Sequence, residues 1–329
     1  MTSIGRSRLG CYEKFISSTI LSLKPKKVIM SGPSGFLGSR VFKFILDIHD
    51  LRISNGLPPG ELILLSSSPG NMMHKLYQQH GASRMKSVRA SRVDYYSQHS
   101  SRVWRDHLGS LDLEGPDCTF VNLAGISGPI TDKPSAMMDV NYSAAVAAAE
   151  ACQMLSFGHF IQSSTQATNT ERAGQVPYSR FKAMADFALS KYTDMPVTIA
   201  SLGLLYCKTD GIVGQTRKSG KINLIDLSLL PLTPILGDGS APLQPQEIND
   251  AAVRIAYLAL CDVSSRPVQV KMKCSEDICF IPTSFKTLPP SFRLYDAVGP
   301  ETMSTLELLR TFAVIQGNSS FRPVCIGYR

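Results

Sequence analysis

Short apolar runs alternate along the chain with longer segments in which apolar residues return every three to four positions. The short runs predict buried strands near 27–31, 61–66, 87–93, 118–123, 158–165 and 197–206. After the first run, Phe36, Leu37, Val41, Phe44, Ile45 and Ile48 share one helical face while Arg40, Lys43 and Asp47 take the other, which predicts a helix over 36–49. A Pro- and Gly-containing connector, 54–60, follows it. Further helices are predicted over the Ala-rich stretch 136–155, around Tyr178 and from Ala251. Ser304-Thr305-Leu306-Glu307 has the capping-box pattern ahead of a last apolar helix. Strands and helices in alternation predict an α/β fold with a doubly wound parallel sheet. From about residue 208 the pattern changes: 208–221 is polar and Gly-rich, a Pro-punctuated apolar stretch follows, and the turn Gly237-Asp238-Gly239 leads to Gln244-Pro245-Gln246-Glu247. The chain therefore divides into a basic N-terminal leader or arm (1–25), a main α/β domain (26–207) and a smaller C-terminal lobe (208–329).

The first strand runs into Gly32-Pro33-Ser34-Gly35-Phe36-Leu37-Gly38 and then into the predicted helix, the order in which proteins hold a nucleotide's diphosphate. Gly32 permits the tight turn, Gly35 lets the backbone approach the phosphates, and Gly38 lets the helix pack closely on its strand. Ser34, Phe36 and Leu37 complete the loop and the first helical turn, whose N–H groups face the anion. A glycine-rich turn between strand and helix is also a common structural device, so a second signal matters. Tyr178 and Lys182, four residues apart, share one face of a helix. A lysine ammonium near a phenol favours phenolate, drawing a pKa ordinarily near about 10 toward the range of proton exchange at neutral pH. The plain alternative is an exposed helical pair. Upstream, the strand 158–165 ends in the hydroxyl cluster Ser163-Ser164-Thr165, with Thr165 thirteen residues before Tyr178.

On these residues the chain resembles the short-chain dehydrogenase/reductase superfamily, in its extended and atypical branches, across residues 26–315. These branches include nucleotide-sugar epimerases, carbonyl reductases and related non-catalytic subunits. The resemblance adds Leu123, Ala124 and Gly125 beneath the cofactor, Asn141 at the start of the following helix, and Asp94, where the family's aspartate contacts the adenine. It implies an NAD(P)-binding Rossmann domain over 26–207 and a substrate lobe over 208–329 that returns elements to the core. It also implies roles: Tyr178 exchanges a proton with the substrate oxygen, Lys182 lowers the phenol pKa and holds the ribose, Thr165 orients the oxygen, and Asn141 supports a proton-relay water. Where an NAD-preferring member carries an acidic residue after the second strand, this chain has Ser66-Ser67-Ser68. The resemblance therefore implies NADP(H) in preference to NAD(H), with Ser66 and Ser67 beside the 2′-phosphate. Ser201, Leu202 and Cys207 stand where relatives carry Arg, Pro and Gly, beside the nicotinamide end.

Composition narrows the setting. The chain has 329 residues, 43% of them hydrophobic, enough for one large α/β domain and a smaller lobe. No apolar stretch approaches the length of a membrane-spanning helix. Eight scattered cysteines favour free thiols in a reducing compartment, and the six histidines, all at or before His159, form no metal-ligand set with them. The net charge of +8 is spread out, densest at Arg84, Lys86, Arg89, Arg92, Arg102 and Arg105, without the aromatic pattern of a nucleic-acid binder. The first 24 residues carry Arg6, Arg8, Lys14 and Lys24 against Glu13, as in a mitochondrial presequence, a retained amphipathic arm or a disordered basic leader. Arg217, Lys218 and Lys221 could meet an anionic group, although a solvated loop is the simpler reading. Two functions fit. One is an NADP(H)-dependent oxidoreductase or epimerase acting on a small molecule in mitochondria or cytoplasm. The other follows from resemblance of the leader, of Leu230–Gly237 and of Gln244-Pro245 to the dehydrogenase-like accessory subunits of mitochondrial respiratory complex I (NADH dehydrogenase). There NADPH is structural and the partners are other subunits of the complex.

Overall fold

Strand β1 (Lys27–Ser31) is the hub of the sheet, pairing in parallel with β2 (Glu61–Ser66) on one side and β4 (Cys118–Asn122) on the other. The computed structural model describes residues 24–126, 133–169, 174–192, 194–206, 232–236, 240, 242–243, 245–261, 292–297, 302–315, 319–320 and 322–326. Beyond β2 lies β3 (Val88–Arg92), an edge strand whose exposed Arg89 and Arg92 suit a position that must not recruit another strand. Beyond β4 come β5 (His159–Thr165), β6 (Val197–Leu202) and, last, β9 (Phe292–Ala297). All seven strands are parallel, and strand order reverses between β1 and β4. This is the doubly wound Rossmann arrangement, in which ligands bind outside the carboxyl ends of the strands at the point of reversal. Buried on both faces, β4 has every residue inside, as parallel strands between two helical layers require.

Helices cover both faces. On one, α1 (Phe36–Ser54) lays Val41, Phe42, Ile45 and Leu46 against the sheet beside α7 (Ile248–Leu260), whose Ala251, Ala252, Ile255 and Ala256 complete the layer. On the other, Trp104 of α3 (Ser101–Gly109) and the alanines of α5 (Ala144–Met154) pack on Phe120 and Phe160. The Phe120 and Phe160 rings stack at 5.3 Å, and Trp104 meets Phe120 edge-on at 6.0 Å. The alanine run makes sense here. Small residues let α5 approach a sheet face already filled by aromatic rings.

Several boundaries differ from expectation. Helix α1 continues to Ser54 rather than stopping at 49, because Arg52 is buried and its Nε donates to the Pro58 carbonyl at 2.8 Å, fastening the connector to the last turn. Helices over 69–80 (α2, Pro69–His80) and 101–109 carry few apolar positions and were not placed from the sequence. The Ala-rich helix starts at Pro134 and contains a π turn, Asp139–Ser143, between α4 (Pro134–Met138) and α5. The predicted strand 197–206 ends at Leu202, and after Gly203-Leu204 a two-residue strand, β7 (Leu205–Tyr206), pairs instead with β8 (Gln246–Glu247). The helix expected from Ala251 begins at Ile248, where the Glu247 carboxylate accepts the Asn249 and Asp250 amides at 2.7 and 3.3 Å. The capping box forms as expected: Ser304 N–H donates to Glu307 at 2.7 Å and Glu307 N–H donates to Ser304 Oγ at 3.2 Å. The leader through residue 23, the basic loop with Arg217, Lys218 and Lys221, Cys207 and Gly237–Gly239 lie outside the described residues.

Candidate functional site

The carboxyl ends of β1 and β4 meet at the glycine turn. Gly32 has φ +65°, and a Cβ there would stand 2.8 Å from backbone atoms of Leu123 and Ala124. Only glycine fits on both counts. A Cβ on Gly38 would lie 2.0 Å from the Gly32 carbonyl oxygen, so α1 packs against its own entry turn closer than any side chain permits. At Gly35 the nearest atom to an added Cβ is the Gly32 oxygen at 3.3 Å, which leaves the outer side of the turn open. Gly35 is the residue before α1, whose first turn carries no acidic side chain, so its free N–H groups meet no competing anion there. Ser34 is exposed, while Phe36 and Leu37 are half-buried. Thus Gly32, Ser34, Gly35, Phe36, Leu37 and Gly38 are gathered with Leu123 and Ala124 at the point where strand order reverses.

A buried polar row, not foreseen from the sequence, runs from this turn across three strands. Ser31 Oγ accepts the Leu123 and Ala124 amides at 3.0 and 3.1 Å and donates to Asn122 Oδ1 at 2.5 Å. Asn122 Nδ2 donates to Gln162 Oε1 at 2.7 Å, and Gln162 Nε2 donates to the Ser163 carbonyl at 3.2 Å. The same carbonyl accepts Lys182 Nζ at 2.9 Å. Ser31, Asn122 and Gln162 occupy directly paired positions of β1, β4 and β5. A polar residue at the same level of three otherwise apolar strands was the signal that sequence reasoning passed over.

At the far end of the row stands α6 (Pro177–Leu189), which carries Tyr178 and Lys182 on one face. A Cβ on Gly125 would stand 3.4 Å from Lys182 Nζ and 3.2 Å from Asn141 Oδ1, so the absence of a side chain at Gly125 is what lets both groups converge. Asn141, in the π turn, is fully buried; its Oδ1 accepts the Ile126 amide at 3.0 Å and its Nδ2 donates to the Ile126 carbonyl at 2.7 Å. Both ends of its amide therefore clamp the loop after β4 rather than facing a relay water. Thr165 closes β5 and accepts the Ala167 amide at 3.3 Å through Oγ1. Tyr178 packs with Phe181 against Ala124, Ile126, Met137 and Val140.

The electrostatics correct one expectation. Burial, with Asp186 as a second cause, pushes the Tyr178 phenol up to about 12 instead of down. Burial holds Lys182 below the usual lysine range, opposed by Asp186, and holds Asp186 above the usual carboxylate range, opposed by Ser164 and Lys182. Lysine does not activate the phenol in this arrangement because its amine is turned to the Ser163 carbonyl and its charge is offset by a carboxylate one turn further along α6.

At the ends of β2 and β3, Ser66 Oγ accepts the Ser68 amide at 3.2 Å and Ser67 is exposed. Asp94 is exposed and accepts the Tyr96 amide at 3.1 Å and Ser97 Oγ at 2.7 Å, bonds that hold its carboxyl below the usual range. It shapes a turn there. Tyr95, which the sequence reading did not single out, crosses from that turn toward Gly32, its hydroxyl donating to the Leu65 carbonyl at 3.2 Å while hydrogen bonding with Ser31 and Gly32 partly offsets the upward push of burial. Arg92 pairs in register with Ser66. Among the described residues no group of three His, Cys, Asp or Glu side chains could hold a metal ion, and no helix is long and apolar enough to cross a membrane.

No protein-family model and no curated protein matches the chain. Solved structures do. The dTDP-glucose 4,6-dehydratase of Streptomyces venezuelae, solved with NAD bound, superposes with a TM-score of 0.60 at 17% identity over 91% of this chain and 84% of its own. The UDP-glucuronic acid 4-epimerase of Bacillus cereus, in complex with NAD, gives 0.59 at 17% identity over 92% of this chain and 87% of its own. An epimerase of Methanothermobacter thermautotrophicus gives 0.58 at 14% identity over 95% and 83%. At these identities the likeness is one of fold, and the fold is the doubly wound Rossmann sheet that the strand order shows.

Proposed function

We propose that the chain is a dinucleotide-binding protein of the extended short-chain dehydrogenase/reductase type, working as an oxidoreductase or epimerase on a small molecule. The observation that supports this reading is the buried polar row joining the Gly32 turn to Lys182, because a diphosphate cradle at the turn and a proton-exchanging pair on α6 would then lie along one line of strand ends. The residues fit the cofactor: the outer side of Gly35 is open, the first turn of α1 presents free N–H groups, and Gly125 leaves room beside Lys182. When bound, the nicotinamide supplies hydride transfer. The chain's own part is separate. Gly32 to Gly38 hold the diphosphate, Leu123 and Ala124 form the floor, Lys182 anchors the ribose, Tyr178 donates a proton from its hydroxyl to the substrate oxygen, and Thr165 orients that oxygen. A phenol held in its protonated form suits a donor better than a base.

Cofactor choice belongs to the same proposal. Two of the neighbours above, the dehydratase and the UDP-glucuronic acid epimerase, were solved with NAD, but here β2 ends in Ser66-Ser67-Ser68, and Arg92 lies across from Ser66. Serines and an arginine in place of a carboxylate favour a 2′-phosphate, hence NADP(H). Titration calorimetry tests the binding assignment: wild-type protein should bind NADPH, and a folded Gly35→Val variant, whose side chain would fill the approach to the turn, should not. Unchanged affinity in Gly35→Val would refute the loop assignment.

A second reading has its own support. Ser201 Oγ on β6 is buried without a hydrogen-bond partner, at a position where active relatives by resemblance carry Arg. Such a change fits a protein that keeps the cofactor and has lost the reaction, as in a mitochondrial complex I accessory subunit. The native mass of the endogenous protein separates the two: a megadalton membrane assembly supports the subunit, a free monomer or dimer the enzyme.

A further inference from the structure

Tyr178, Lys182 and Asp186 follow one another at intervals of four along α6, so one stripe of the helix carries a phenol, an amine and a carboxyl. Lys182 is 3% exposed and Asp186 8%. Asp186 is fixed from the sheet side. Ser164 Oγ, in β5, donates a short hydrogen bond to its Oδ2, while its Oδ1 is buried with no hydrogen-bond partner. A buried carboxylate oxygen left open in this way is costly unless its charge does something for its neighbours. The neighbours are defined. Asp186 acts electrostatically on Tyr178 and Lys182, and both of those groups have it as their one charged influence. Asp139 and Tyr142 of the π turn, Glu150 and Cys152 of α5, His159 of β5 and Arg180 of α6 itself are the other titratable groups on this helix and the elements packed closely against it, and none of them acts on Asp186.

We propose that Asp186, held by Ser164, is a positioning residue that sets the protonation state of the Tyr178 and Lys182 pair. This deepens the reading above and rests on it for the identity of the site. The physical argument is one of charge balance. Removing two side chains from water penalises every charged form, so an isolated buried amine would shed its proton, and Asp186 opposes that by offering the opposite charge nearby. The same negative charge disfavours a phenolate at Tyr178 and keeps the hydroxyl protonated. One carboxyl thus holds the amine charged and the phenol neutral. Ser164 matters because its hydrogen bond favours the ionised carboxylate against burial. Lys182 and Asp186 then titrate as a pair rather than singly.

The test is Asp186→Asn, which keeps shape and removes charge. The Lys182 titration is followed by NMR of the labelled lysine side chain, assigned by comparison with Lys182→Arg. The Tyr178 titration is followed by phenolate absorbance, taken as the difference from Tyr178→Phe. Both midpoints should move toward acid in Asp186→Asn, by about one pH unit or more, the usual effect of losing a charge at close range. A packing role would move neither. Ser164→Ala should move the Lys182 midpoint in the same direction by less, because the carboxyl then keeps its proton to higher pH, and that midpoint carries the test if Asp186→Asn does not fold. Unchanged midpoints in a folded variant overturn the proposal. Because the readout is titration and not turnover, shifted midpoints in a protein that keeps its activity after Tyr178→Phe would uphold Asp186 while removing the catalytic reading of the site.

Discussion

A Cβ at Gly38 would collide with the Gly32 carbonyl at 2.0 Å, whereas nothing so hard confines Tyr178, Lys182 and Asp186, whose state depends on where protons reside. The two ends of the site are built by different means. At the glycine turn, backbone sterics admit one residue type at each of two positions, and the geometry is complete before any ligand arrives. At the α6 end the side chains are in place, but the resting charges oppose phenolate formation. One end is therefore sensitive to volume and the other to charge.

The largest effect should come from adding volume at the turn. Gly38→Ala should destabilise the fold by at least about 3 kcal/mol, the scale of a backbone clash that neither partner can relieve, and lower the thermal midpoint by several degrees. Gly35→Ala meets a single oxygen at 3.3 Å and should stay within about 1 kcal/mol of wild type. Equal stabilities for the two variants in denaturant titrations would show that the turn is not sterically locked. The next largest effect lies at the other end. If turnover of carbonyl compounds or nucleotide sugars with NADPH is found, Tyr178→Phe should reduce it by about 10²- to 10⁴-fold with cofactor binding retained, since the variant removes a proton and little volume. Turnover that survives the change would contradict the role given to Tyr178.

What the sequence disclosed follows the same division. Gly32 and Gly38 were legible because a strand, a fixed glycine spacing and an amphipathic helix leave few alternatives, and β1 and β2 have the predicted bounds. Tyr178 and Lys182 were legible as a helical pair. Their electrostatic setting was not, because it depends on Asp186 meeting Ser164 across twenty-two residues and on strand register that brings Ser31, Asn122 and Gln162 into line. Helix α2 was missed for a local reason: in Pro69–His80 only Met72 and Leu76 are buried, too few to show a period. Asp94 was read for adenine, yet its carboxylate is engaged with the Tyr96 amide and Ser97.

Helix α1 joins the volume-sensitive end to a charge-sensitive spot near its other end, which gives a third and smaller effect. His49 is 2% exposed, its Nε2 has no hydrogen-bond partner, and its Nδ1 lies 3.4 Å from Ser87 Oγ. Burial, then the Arg52 charge, hold its pKa down to about 4, against an opposing pull from Asp50. A histidine with a depressed folded pKa stays neutral in the native state but takes a proton on unfolding. Its contribution is thus fully present above about pH 6.5 and is lost as pH falls toward about 4, on the order of 3 kcal/mol in all. Denaturant titrations at pH 7.5 and 4.5 should show this loss in wild type and a smaller one in His49→Gln. Identical acid losses in the two proteins would place the sensitivity elsewhere.

The smallest effect sharpens the charge side of the comparison at the cofactor's other end. If a 2′-phosphate sits over the ends of β2 and β3, Arg92 is the cation placed to meet it, because it pairs in register with Ser66 and carries an exposed side chain at the strand's end. Its present electrostatic neighbour is Asp94, whose carboxylate is already committed to Ser97 and the Tyr96 amide, so the guanidinium can turn to a phosphate without stranding a buried charge. Wild-type protein should therefore prefer NADPH to NADH by about 1 to 3 kcal/mol, the range of one or two charge-assisted hydrogen bonds. Arg92→Ala should remove about 1 kcal/mol of that preference by weakening NADPH alone, since NADH has no group at that position to lose. Side-by-side calorimetry of both dinucleotides on both proteins gives the four affinities required. Equal weakening of NADPH and NADH would mean that Arg92 supports the strand end rather than reading the phosphate, and a wild-type preference for NADH would overturn the assignment of Ser66 and Ser67 along with it.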